Sequence, residues 1–122
     1  MNLKGGVLAL LLVASGAHAE DWTKFGESAQ MSFQFDAESM QSRGSVETVW
    51  VKTLNKEPYG AKSYLSRESV DCNDRDAITI LSQTSYSANG NVIDSFIHTE
   101  RQPAPPGSVS ASLIAMLCGA AK

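Results

Sequence analysis

Few residues in this chain are of a type and spacing that can do chemistry, and Cys72 and Cys118 are foremost among them. They are the only two cysteines, 46 positions apart. Joined as a disulfide, they would close a loop that restricts the unfolded chain, worth roughly 4 kcal/mol in the chain-entropy picture. Two free thiols or half of a metal site are the alternatives. With no third cysteine and a single histidine after residue 19, the metal reading lacks ligands, and the disulfide is the expected form.

The other reactive types do not assemble into a catalytic set. His98, that single histidine, needs a carboxylate or nucleophile beside it to act, and its bland reading is a solvent-facing residue near a strand end. The serines are numerous, but no Gly-x-Ser-x-Gly elbow occurs. Asp71, Asn73, Asp74 and Asp76 form the densest acidic cluster. Read as a calcium loop from Asp71, its fifth position is Arg75 and its sixth is Asp76 where a glycine is required, so the spacing fails. A solvated acidic turn, partly neutralised by Arg75, is the expectation, with a weak calcium site as the alternative. No nucleophile, base and orienting group line up, so no enzyme, no cofactor and no metal is expected.

Aromatic residues offer a different kind of chemistry. Trp50 is flanked by valines and reads as core. Tyr59 sits in Pro58-Tyr59-Gly60 between Lys56 and Lys62, where an exposed ring flanked by cations can contact a partner. The competing reading folds that tyrosine back over a sheet edge. Lys56, Tyr59 and Lys62 are the candidate partner-binding loop.

The compartment follows from the start of the chain. Lys4 precedes an apolar run from Val7 to Ala14, then Ala17-His18-Ala19, a small-x-small cleavage pattern. This is a signal peptide over residues 1–19, with an apolar stretch too short to span a bilayer. Of 122 residues, removing 19 leaves 103, and residues 20–122 read as a single domain. That mature chain has nine Lys and Arg against thirteen Asp and Glu, a net charge of −4, which argues against nucleic acid and against an anionic membrane surface. No second stretch of spanning length occurs and no cysteine follows the cleavage site to carry a lipid. The expectation is a periplasmic or secreted protein without a membrane anchor, in a compartment where disulfides persist.

The elements that must position these residues are mostly strands. Met31, Phe33 and Phe35 alternate with polar residues, the period of a half-buried strand. Val46 to Leu54 follows a turn at Arg43-Gly44, and Val49-Trp50-Val51 is apolar on both faces, which predicts a central strand covered on both sides. Residues 55–62 are turn-rich and predict an exposed loop. Tyr64 to Cys72 and Ala77 to Thr84 are the next strands, and Asn89-Gly90 predicts a hairpin into a last strand from Val92 to Thr99. Three prolines in Gln102 to Gly107 exclude helix and central strand there. Ser108 then caps a helix from Val109 to Cys118, ended by Gly119, with Val109, Leu113, Met116 and Leu117 on one side and Ile114 and Cys118 extending it. The fold class is α+β: an antiparallel sheet of about six strands, with one C-terminal helix packed on a face and tied to it by the disulfide.

The order of these signals resembles a known family. An early Trp22 is followed by Phe35-Asp36-x-x-Ser39-Met40, Gly44 and Val49-Trp50. Tyr64-x-Ser66 then leads to Asp71-Cys72-x-x-Arg75, with Gly90-x-Val92-Ile93, Pro106-Gly107-Ser108 and Leu117-Cys118 after it. This ordered combination resembles the surface-adhesin protein E family of proteobacteria across essentially the whole mature chain. The resemblance implies a curved antiparallel sheet with a disulfide-held helix, a Gram-negative source and, for the founding adhesins, binding of host matrix proteins. The missing lipid-bearing cysteine departs from the surface-anchored adhesins.

The functional expectation is a non-enzymatic secreted or periplasmic protein that binds another macromolecule, a protein partner, through the 55–62 loop or a sheet edge. The alternative is a surface adhesin for host extracellular-matrix proteins.

Overall fold

Seven stretches of alternating or β-branched sequence become strands, and one proline- and glycine-bounded stretch becomes a helix. The computed structural model describes residues 22–119, so the expected signal peptide at residues 1–19 lies outside the described residues. In chain order the elements are β1 (Trp22–Glu27), β2 (Met31–Asp36), a 3-10 turn (Ala37–Ser39) and β3 (Gln41–Arg43). β4 (Val46–Asn55), β5 (Ser63–Asp71), β6 (Asp74–Tyr86), β7 (Val92–Pro103) and α1 (Val109–Cys118) follow. The strands make one antiparallel sheet in the order β1-β2-β4-β5-β6-β7, with β3 pairing the first residues of β4 beyond the end of β2.

Alternation divides the sheet into an inner face, under the helix, and an outer face. Phe35, Val49, Val51, Val70, Ile78 and Ile80 point inward and meet Leu113, Ile114 and Leu117 of α1, with Ala104 closing the cluster. The helix lies against β1 and β6. β1 passes closest at Gly26, where a Cβ would stand 3.0 Å from Val109 Cγ1. Ser108 Oγ accepts from the Ala111 amide at 3.1 Å, and Gly119, at φ 85°, ends the helix as expected.

Four expectations need correction. Trp50 is not core, and β4 is not covered on both sides: Val49 and Val51 are 0% and 2% exposed, while Trp50 points outward and is only half-buried, under Arg67 of β5. Met116 leaves the buried side of α1 and is 49% exposed, because the sheet meets a narrower stripe than the apolar sequence offers. β7 runs on to Pro103, which an edge strand tolerates because its missing N–H faces away from the ladder. β1 was not anticipated beyond its tryptophan. A bulge between Lys24 and Gly26 lets Phe25 pack against Phe33 and Phe35, and this breaks the period of two.

The staple forms where expected. Cys72 lies in the tight turn between β5 and β6 and is bonded to Cys118 at the last turn of α1, with Cα atoms 5.6 Å apart. The helix is thereby bolted to the end of the central strands, which a ten-residue helix needs.

Candidate functional site

The 56–62 loop joins β4 to β5, and its shape is set by one side chain. Asn55 Nδ2 donates to the carbonyls of Tyr59 (3.0 Å) and Ala61 (2.8 Å), while its Oδ1 accepts from the Glu57 amide (2.9 Å). Asn55 is itself buried, so the loop is tied from beneath. Both ends are fastened too: Lys56 N–H donates to Gln30 O and Lys62 N–H to Tyr86 O. Gly60 takes φ 80°, which closes the turn.

The three candidate residues are not equivalent in this loop. Lys56 Nζ is engaged by the Glu27 carboxylate and by Ser28 O at 2.9 Å. Lys24 reaches the same carboxylate at 2.7 Å, and these two lysines, Lys24 first, pull the Glu27 pKa down to about 2. Lys56 therefore anchors the loop to the β1–β2 turn. Tyr59 stands 70% exposed, and Lys62 is exposed three residues on. The loop presents an aromatic ring and one cation on a fixed backbone.

A second feature was not anticipated from sequence. Under α1 lies a cavity of about 210 Å³ whose walls include Phe25, Phe33, Ile80 and Val109 alongside Thr53, Gln83 and Gln102. Glu68 lines it and is 8% exposed, bonded to the Ser66 hydroxyl, which donates to Glu68 Oε2 at 2.6 Å. Burial pushes the Glu68 carboxyl above its ordinary range. Among the described residues it is the only titratable side chain lining this cavity, and no acid–base pair is assembled from them there. The signal was present in the alternation Ser66-Glu68-Val70, which puts the carboxyl on the same face as a buried valine.

The remaining candidates separate. His98 lies exposed within β7, not at a strand end, stacked on Phe96 with centroids 4.5 Å apart and 3.6 Å from Glu100. In the acidic turn, Asp71 accepts from Ser45 Oγ and the Asn73 amide, which lower its pKa, and Asp74 meets Arg101 at 3.4 Å. Arg75 does not neutralise the cluster as expected. It donates instead to the carbonyls of Cys72, Cys118 and Gly119. Among the described residues no group of three or more His, Cys, Asp or Glu is placed to hold a metal ion.

The family comparison adds to this geometry. A family model described as surface-adhesin protein E matches residues 22–119, every element from β1 to the end of α1. The chain belongs to the surface-adhesin protein E family. Comparison with curated proteins and with solved structures found no match. For this adhesin-family chain the matched region includes the Cys72–Cys118 staple, the Tyr59 loop and the Glu68 cavity. No helix among the described residues is long and apolar enough to cross a membrane.

Proposed function

We propose that this protein is a non-enzymatic adhesin, exported by its N-terminal segment, that binds an extracellular-matrix protein through the 56–62 loop. The observation that carries the reading is Tyr59, 70% exposed on a backbone tied down by Asn55. An exposed tyrosine normally loses freedom when it docks. Here the backbone beneath it is already ordered, so less of the interaction energy is lost on binding. Tyrosine also brings a large amphipathic surface with few rotatable bonds, the kind of group that dominates binding hot spots. Family membership supports adhesion as the class of activity. Lys62, exposed in the same loop, favours a partner with acidic groups around an apolar contact.

The test is capture of the purified protein on immobilised basement-membrane extract. Tyr59→Ala is expected to weaken capture by at least tenfold, a hot-spot loss of about 1.4 kcal/mol or more, without moving the melting temperature. Capture unchanged by Tyr59→Ala and by Lys62→Gln together would remove the loop from the account.

A further inference from the structure

The outer face of the sheet carries a track of cations that make no ion pair among the described residues. Between β3 and β6 runs a trough of about 620 Å³. Val46 and Thr48 form its floor, Gln41, Ser42 and Arg43 one wall, and Arg67 and Leu81 the other, with no carboxylate among them. The Arg43 guanidinium has no ion-pair or hydrogen-bond partner among the described residues. Arg67 meets only neutral groups, Gln41 Oε1 at 3.2 Å and the ring of Trp50 at 5.7 Å. Further along the same face Lys52 lies over the ring of Trp22 at 4.4 Å and makes no ion pair among the described residues.

Apart from Lys62 in the 56–62 loop, the other described cations are matched. Glu27 holds Lys24 and Lys56, Asp74 meets Arg101, and backbone carbonyls take Arg75. Carboxylates bordering the track take neutral donors: Glu47 accepts from Ser42 Oγ of the trough wall, Asp36 from the Glu38 amide, and Asp71 from Ser45 Oγ and the Asn73 amide. In a chain of net charge −3, two arginines and a lysine along one face that make no ion pair among the described residues are a local concentration of available positive charge.

We propose that this track is a binding site for an acidic polysaccharide, a glycan chain bearing sulfate or uronate groups, with Arg43 and Arg67 taking its oxyanions. The length fits a chain better than a small ion: from the Val46 row to the Lys52 row is six residues of strand, roughly 20 Å. The guanidinium fork matches the geometry of a sulfate or carboxylate, and Arg67 is already laid across Trp50 and tethered to Gln41, so little ordering remains. Thr48, Ser69 and Thr79 stand in one cross-strand row on this face and supply hydroxyls suited to a polyhydroxylated partner. The rings of Trp22 and Trp50 are overlaid by cations, which leaves no open stacking platform for nucleic-acid bases.

The experiment is calorimetric titration of the full mature protein with a heparin-derived hexasaccharide at low salt. Saturable binding is expected, weakening as salt rises. Arg43→Gln and Arg67→Gln are each expected to reduce affinity about tenfold, the loss of one charge-assisted contact. Lys62→Gln, in the 56–62 loop and not among the trough's lining residues, is expected to change nothing, and all three variants should melt with the wild type. Tyr59→Ala is also expected to bind the hexasaccharide normally, so a failure of the loop reading and a failure of this one are distinguishable. No saturable binding, or binding indifferent to the double Arg43→Gln, Arg67→Gln change, would overturn the proposal. So would a poly-glutamate peptide of matched charge binding as tightly, because the trough would then be an acidic-peptide site.

Discussion

Arg75 donates from Nη1 to the carbonyl oxygen of Gly119 at 3.0 Å, across 44 residues of sequence. The same guanidinium reaches Cys118 O at 3.3 Å and Cys72 O at 3.2 Å, so one side chain bridges both halves of the disulfide. Its charge sits at the C-terminal end of α1, where the helix carbonyls lack partners and a cation is favourable. The helix is held to the sheet by a covalent bond and, beside it, a charged clamp.

Breaking these two ties separately gives the first prediction. Cys118→Ser is expected to lower stability by about 4 kcal/mol and to loosen α1. Arg75→Ala is expected to cost about 1 kcal/mol, because its bonds are partly exposed. Urea denaturation measures both, and amide hydrogen exchange in residues 109–118 reports the helix. An unchanged thermal transition after reduction with dithiothreitol would show that the staple contributes nothing.

Glu68 predicts a pH dependence. Its folded pKa is raised by burial above the ordinary 4.5, against a smaller opposing effect from Ser66. Between 4.5 and that raised value the folded protein holds a proton that the unfolded chain has released, so stability falls as pH rises through the window. Glu68→Gln keeps a neutral polar group under α1 and is expected to abolish that fall, leaving the variant more stable than wild type at neutral pH. A wild-type melting temperature that climbs over the same window, where the Glu27 contribution is already constant, would contradict the assignment.

Glu27 predicts the opposite slope at lower pH. Its carboxyl titrates near 2 when folded, held down by Lys24 and then Lys56, against 4.5 in the unfolded chain. The stabilisation is fully present above 4.5 and is lost as pH falls towards 2. Glu27→Gln is expected to flatten the melting-temperature profile between those values. Because Lys56 is the loop's anchor, amide exchange in residues 56–62 is expected to quicken in the same variant. If exchange there stays at the wild-type rate, the Glu27–Lys56 tie does not order the loop.

Much of the fold was legible because alternation, turn residues and caps all pointed the same way. Asn55 and Ser63 bound the loop where the turn-rich stretch predicted, and Ser108 and Gly119 bound the helix as read. The misses share a cause: they depend on what a neighbouring strand brings. Val49-Trp50-Val51 carries no sign that Arg67 will lie across the tryptophan, and β1 is disguised by the bulge that turns Phe25 inward. The site was less legible than the fold. Tyr59 was singled out from its turn, but Lys56 and Lys62 looked alike until Glu27 took one of them. Arg43 and Arg67 are 24 positions apart in sequence, and only strand pairing places them on one trough.

The adhesin proposed above would work outside the cell, where it can reach a matrix protein. The most direct test of this is protease treatment of intact cells of the native host, followed by blotting for the protein. The account predicts digestion while the outer membrane is still closed and a periplasmic control protein is untouched. Protection until the outer membrane is opened would place the protein in the periplasm and contradict the adhesin reading.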